Sequence, residues 1–174
     1  LGHLPADWRH LHGLHAGDLA RGLGLVAVRR GLGVVDHRGE AVFGDKLIII
    51  FAREILSRRP GVTFISEVKC SQTLYDDIRK RGGKAIMWRT GHSHMKAKLK
   101  ETGALLAGEF SGHICFGERW FGFDDALYSA ARLLEILGSQ SLSADEVFSQ
   151  FPVTFATPEL KIATSESHKF AVIE

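Results

Sequence analysis

Between two apolar runs the chain reads Gly108-Glu109-Phe110-Ser111-Gly112-His113, which brings a carboxylate, a hydroxyl and an imidazole into one short turn. The flanking glycines let the backbone double back tightly. Glu109 can accept hydrogen bonds from two neighbouring hydroxyls, and Ser111 can both donate and accept, so the pair suits recognition of a polyol, with His113 beside them. A hairpin tip with a capping carboxylate would use the same residue types, and the residues alone leave both readings open.

Two basic clusters follow runs that read as strands. Lys69, in Glu67-Val68-Lys69-Cys70, is placed to face a phosphate if ligands lie off the carboxyl ends of the strands, as they do in open α/β sheets. The plainer reading is a solvated lysine at a strand end. Arg89-Thr90-Gly91-His92 follows the next strand in the same manner, so the two clusters lie side by side if those strands are neighbours. His92-Ser93-His94 has no carboxylate or cysteine at metal-ligand spacing and reads as a helix start, and His10, His12 and His15 lie where no element is expected. Gly31-Leu32-Gly33 lacks the third glycine and the preceding strand that a dinucleotide loop requires.

The elements that must carry these residues follow from apolar spacing and Gly, Pro and Ser punctuation. Leu32 to Asp36 reads as a strand, His37-Arg38-Gly39 as its turn and Glu40 to Phe43 as the return, with Asp45 available to cap a helix through Ser57. Strands are expected at Val62 to Val68, Lys84 to Trp88, Ala104 to Ala107, His113 to Phe116 and Leu160 to Thr164. Helices are expected at Ser71 to Arg81, with Leu74 and Ile78 on one face, at Ser93 to Glu101, whose lysines read as a solvated face, at Asp124 to Leu137 and at Ala144 to Gln150. Strands alternating with helices of about ten residues predict an α/β domain of three layers, α/β/α, around a mixed, mostly parallel sheet. Residues 1–31 show no clear period before a short run at Leu23 to Val28, so the domain is placed at 32–174 and the first 31 residues read as an irregular remnant of a preceding domain.

Composition excludes several classes. The 174 residues are 45% hydrophobic and 24% charged, with 22 Lys+Arg against 20 Asp+Glu, which is the profile of a folded domain rather than a disordered tail. The charges are interspersed and the pI is near 8.6, so no field suited to nucleic acid or an anionic membrane arises. The longest apolar run, Leu47 to Ala52, falls far short of the roughly 20 residues a membrane span needs. Cys70 and Cys115 form no C-x-x-C pair, so they read as reduced thiols of a cytoplasmic protein.

Taken in order, EVKCSQTL, MWRTGHSHMKAKLKETGALLAGEFSGHICFGERWFGFDDALYSAARLLEIL, FSQFP, TPEL and KFAVIE resemble the third domain of the α-D-phosphohexomutases, in their bacterial phosphomannomutase/phosphoglucomutase branch. The resemblance runs over roughly residues 32–174. It implies an isomerase that interconverts hexose 1-phosphate and hexose 6-phosphate, of mannose or glucose, through a hexose 1,6-bisphosphate that turns over in the cleft. It assigns Glu109 and Ser111 to the sugar 3- and 4-hydroxyls, with His113 completing the motif. It also makes Lys69 and His92 cleft residues that contact phosphate or assist proton transfer.

The same resemblance shows what the cleft needs from elsewhere. The phosphoryl-carrying serine belongs to a first domain and a phosphate-binding loop to a fourth, so the expected partners include these sibling domains, and the chain by itself is expected not to turn over. The family's magnesium sits on the aspartates of a D-G-D-x-D-R loop just before the strand at Leu32. Here that place reads Val28-Arg29-Arg30-Gly31, and two arginines cannot ligate a hard cation, so no Mg²⁺ is expected on this chain. A one-base shift of codons for those four residues can encode Phe-Asp-Gly-Asp, which suggests that residues 1–31 are read out of frame. The alternative from another class is a non-catalytic module that binds sugar phosphates or a protein through the same loop.

Overall fold

The computed structural model describes residues 24–28, 31–152 and 165, the first stretch through its backbone. Its elements are β1 (Gly24–Val28), β2 (Gly31–Val35), β3 (Ala41–Val42), α1 (Gly44–Arg58), β4 (Thr63–Glu67), α2 (Gln72–Lys80), β5 (Lys84–Trp88), α3 (His92–Thr102), β6 (Leu106–Gly108), β7 (Ile114–Phe116), α4 (Ala126–Gly138) and α5 (Ala144–Ser149).

Alternation along the short strands builds the layers, because successive side chains leave a strand on opposite faces. The main sheet runs β5-β4-β6-β7, with β4 parallel to both β5 and β6 and β7 antiparallel to β6. Register aligns Phe64 with Leu106 and Leu106 with Phe116, and these three face a core shared with Leu47 and Phe51 of α1, Leu74 and Ile78 of α2 and Leu133 of α4. Ile65, Ala107 and Cys115 are the next register row and face the other way, onto Met95 and Leu99 of α3. The sheet is therefore mixed and mostly parallel between two helical layers. Burial of Met95 and Leu99 contributes about 2 kcal/mol each toward holding α3 in place.

The strand expected at Leu32 belongs to a second sheet. Its tight turn, in which Asp36 accepts from the amides of Arg38 and Glu40, forces an antiparallel return, and β1-β2-β3 form a three-stranded antiparallel ribbon instead of joining the parallel sheet. The β1–β2 hairpin straddles the division placed near residue 31. The strand expected at 160–164 and residues 1–23 lie outside the described residues.

One cap and one helix start differ from expectation. Asp45 does not cap α1, which begins one residue earlier; it lies buried in the first turn, where one oxygen accepts from the Lys46 amide and the other from the Ser71 amide at 3.3 Å. α4 starts after Asp124, and it is Asp125 that caps it by accepting from the Tyr128 amide. Ser143 and Glu146 form a reciprocal capping box on α5.

α1 and α2 are tied by Arg53, whose guanidinium holds Asp77 through contacts of 3.0 and 2.6 Å. Burial raises the Asp77 carboxyl, but the Arg53 hydrogen bonds and charge, with Arg81 behind them, outweigh it and hold it below the ordinary carboxylate range. A carboxyl lowered on folding stabilises above its unfolded pKa, and the benefit is lost as pH falls through the folded value. Asp77→Asn is therefore expected to cost about 1–3 kcal/mol at neutral pH, with the gap from the parent narrowing as pH falls below the ordinary aspartate range. Urea unfolding across pH measures this, and a gap independent of pH contradicts it.

Candidate sugar-phosphate site

Because β4, β5 and β6 are parallel, their carboxyl ends open on one edge, and β7 starts there running back. Lys69 follows β4, Gly91 and His92 follow β5, Glu109 to Ser111 follow β6 and His113 precedes β7. The two basic clusters do lie side by side, since Glu67 and Trp88 are register partners at the ends of β4 and β5.

The Gly108-to-His113 turn is clamped from two sides. Its Phe110 carbonyl accepts the Gly44 amide at the start of α1, its Gly112 carbonyl accepts the Leu32 amide of β2, and Phe110 stacks on Phe43 with centroids 4.6 Å apart. Within the turn, the Glu109 amide donates to the His113 carbonyl and the Gly112 amide to the Glu109 carbonyl. Glu109 is only 5% exposed. Its Oε1 accepts the Gly91 amide at 2.9 Å, while Oε2 has a long contact of 3.4 Å from the Ser111 hydroxyl. One carboxylate oxygen is thus fixed toward the β5 loop, and the other, beside a hydroxyl that can rotate, is the one suited to accept from a ligand.

His113 is oriented by a residue that its motif does not contain. Its Nδ1 lies 2.7 Å from Asp124 Oδ2, and Asp124 is buried and anchored by the Ile114 amide on its other oxygen. A carboxylate facing Nδ1 places the ring proton there, which leaves the lone pair of the neutral ring on Nε2. The His92 ring lies 6.3 Å from that of His113, centroid to centroid. Lys69, half exposed, stands at the same edge with its ammonium 3.9 Å from Glu67 Oε2.

Glu67, Thr90 and Asp124 are the residues that sequence reasoning passed over. Glu67 is fully buried, accepting the Phe110 amide at 2.7 Å and the Thr90 hydroxyl at 2.5 Å. A signal for it existed: Glu67 continues the face of Ile65, and a charged residue on a buried register needs partners. Asp124 carried none, because an aspartate ahead of an apolar helical run reads as part of the helix start. Lys98, expected as part of a solvated face, lies over the Trp88 ring at 4.3 Å and bonds Glu101. The two thiols offer no nucleophile, since burial first and nearby carboxylates second push Cys70 well up and Cys115 up to about 12.

Residues 43–155 match the family described as phosphoglucomutase/phosphomannomutase, alpha/beta/alpha domain III. The chain belongs to this family. It is 52% identical over 143 residues to the phosphomannomutase/phosphoglucomutase of Pseudomonas aeruginosa, covering 82% of this chain and 31% of that protein. A crystal structure of a phosphoglucomutase/phosphomannomutase family protein from Burkholderia thailandensis superposes with a TM-score of 0.79 at 41% identity, over 89% of this chain and 34% of that one. The N-acetylphosphoglucosamine mutase of Aspergillus fumigatus, solved with GlcNAc-6P and magnesium, shares the fold at 14% identity with a TM-score of 0.62, over 75% of this chain and 35% of that one. The chain spans about a third of the length of the relatives it matches.

The family resemblance places magnesium in the loop just before β2. Val28 and Gly31 pair across the β1–β2 hairpin, and the two residues between them in sequence are Arg29 and Arg30, whose side chains carry no oxygen donor. Among the described residues no group of three or more His, Cys, Asp or Glu is placed to hold a metal. That hairpin does not suit magnesium, and no step below passes through it.

Proposed function

We propose that residues 32–174 are the sugar-binding third domain of a phosphomannomutase/phosphoglucomutase, which interconverts hexose 1-phosphate and hexose 6-phosphate through the 1,6-bisphosphate. The observation that carries the reading is Glu109 at the edge shared by Lys69, His92, Ser111 and His113, with one oxygen held by Gly91 and the other directed at Ser111. Glu109 Oε2 and the Ser111 hydroxyl bind adjacent sugar hydroxyls. Because the 3- and 4-hydroxyls are presented alike when the sugar turns end over end, one loop serves both phosphate positions.

In the first transfer an oxygen–phosphorus bond forms at a sugar oxygen as the bond to the donor serine of the first domain breaks, and the sugar hydroxyl proton must leave; after the sugar turns, the other sugar O–P bond breaks as the phosphoryl group returns to the serine oxygen, and the freed sugar oxygen takes up a proton. His113, its ring oriented by Asp124, and His92 beside it are the imidazoles placed to assist that proton transfer and to stabilise the phosphate charge that develops. The Lys69 ammonium draws the non-reacting phosphate to the edge. The phosphoserine, the metal loop and the phosphate-binding loop of a fourth domain are supplied by the sibling domains. We place the chain in the cytoplasm, in keeping with two buried free cysteines; among the described residues no helix is long and apolar enough to cross a membrane.

The test is titration of glucose 1-phosphate and mannose 1-phosphate into the isotope-labelled chain, read by amide shifts. Shifts are expected at 91–92 and 109–113, with Glu109→Ala weakening binding by at least about tenfold. Equal shifts from inorganic phosphate alone, or none from either sugar phosphate, overturn the reading. The 174 residues alone are expected to show no mutase turnover with a bisphosphate activator, and turnover abolished by Glu109→Ala would contradict that.

A further inference from the structure

The three loops at the carboxyl edge are joined in a closed circuit. Glu67, at the end of central β4, accepts the Phe110 amide from the β6 loop and the Thr90 hydroxyl from the β5 loop. Glu109, one residue before Phe110, reaches across to the Gly91 amide, one residue after Thr90. Thus Glu67 links β4 to each flanking loop and Glu109 links the flanking loops to one another. The Glu67 backbone is itself pinned, its carbonyl accepting both the Tyr75 hydroxyl at 2.7 Å and the Cys70 amide at 3.0 Å.

We infer that Glu67 is a positioning residue for sugar binding: it closes this circuit and so sets where Glu109 presents its second oxygen. The inference rests on the sugar-binding reading of Glu109. Glu67 is fully buried and makes its carboxylate bonds sideways to the two loops, so it acts through them. Its length matters, because an aspartate is one methylene short of spanning both loops. Its charge matters less to the circuit than its two acceptors. A glutamine retains an oxygen for the Phe110 amide, and its nitrogen can donate to Thr90, whose hydroxyl accepts as readily as it donates. Glutamine does remove the negative charge beside Lys69.

The experiment uses the whole chain, with Glu67→Ala, Glu67→Gln and Thr90→Val, and reads amide hydrogen exchange together with glucose 1-phosphate binding. Phe110 touches Glu67 directly and loses protection in Glu67→Ala whatever the truth of the circuit. Gly91 bonds Glu109, so its amide is the decisive one. In Glu67→Ala and Thr90→Val the Gly91 amide is expected to exchange at least about tenfold faster, while Ile65 and Ala107 in the sheet keep their protection. Glu67→Gln is expected to restore Gly91 protection and to bind within about twofold of the parent, against about tenfold weaker binding for Glu67→Ala. Unchanged Gly91 exchange in Glu67→Ala, or unchanged affinity in that variant, overturns the inference. If the parent binds no sugar phosphate, the functional reading fails, and Gly91 exchange alone still decides whether Glu67 closes the circuit. Loss of protection at Ile65 and Ala107 as well would show general unfolding in Glu67→Ala, and Thr90→Val, which changes an exposed residue, then decides by the same Gly91 criterion.

Discussion

Gly112→Ala is expected to lower the thermal midpoint on the order of 10 °C, through a loss of about 3–5 kcal/mol. Two costs combine. Gly112 has φ near +87°, where an L side chain costs about 1–2 kcal/mol, and a Cβ there would be driven into the Leu32 backbone carbonyl, which cannot withdraw without tearing β2 from the turn. Gly44→Ala tests the steric part alone. Gly44 opens α1 without positive φ, and alanine in a helix is ordinarily better by about 1 kcal/mol. Here a Cβ would be driven into the Glu109 carbonyl and lie 2.8 Å from that of Phe110, so the expected effect has the opposite sign. Gly61→Ala is the control, with φ near +79° and open space around it, and is expected to cost only the backbone strain. Melting curves followed by circular dichroism measure all three. Midpoints for Gly112→Ala and Gly44→Ala no lower than for Gly61→Ala would contradict the clamp.

The contrast between those glycines marks how far the sequence can be read. Gly108 and Gly112 announce a turn because they flank polar residues between apolar runs, and the turn is where they place it. Gly44 announces nothing, since its requirement comes from the Glu109 and Phe110 carbonyls, 65 and 66 positions further along the chain. The strand at Lys84 to Trp88 and the buried pair Leu74 and Ile78 were legible for the same local reason, since period and punctuation suffice for them. The places of Lys69 and His92 at one sheet edge were legible through a topological rule about strand ends. What stayed hidden are residues whose role is set by a partner far away in sequence: Asp45 bonding Ser71, Glu67 bonding Thr90 and Phe110, and Asp124 bonding His113. The start of α4 is instructive, because Asp124 and Asp125 can both cap and only the packing of β7 against the Asp124 segment decides which one does.

Arg132→Met is expected to cost about 3–5 kcal/mol and to loosen the site with the fold. The Arg132 side chain is 3% exposed and lies over the Phe116 ring, with contacts to Glu54 at 2.9 Å, Glu118 at 3.4 Å, Glu135 at 3.1 Å and the Tyr128 hydroxyl at 3.0 Å. Methionine fills much of the volume but leaves the buried Glu118 with Arg58 as its remaining cation in this network, reaching in from a side chain 40% exposed. The penalty is that of a buried carboxylate short of partners, so Glu118→Gln in the Arg132→Met background is expected to recover a large part of it, measurable as a double-mutant cycle in urea. Acid is expected to recover part as well. Burial raises Glu54, but Arg58 and Arg132 outweigh it and hold the carboxyl low, so their stabilisation is present at neutral pH and lost as pH falls through the folded value. The difference between Arg132→Met and the parent is therefore largest near neutrality and narrows below about pH 4. The segment at stake runs from Glu118 to Asp125, is braced by Trp120 stacked on Tyr128 at 4.2 Å, and carries the Asp124 carboxylate that orients His113. Sugar-phosphate affinity is expected to fall with stability in Arg132→Met and to return with Glu118→Gln. A variant within about 1 kcal/mol of the parent at neutral pH would show the network to be worth no more than the apolar packing that replaces it.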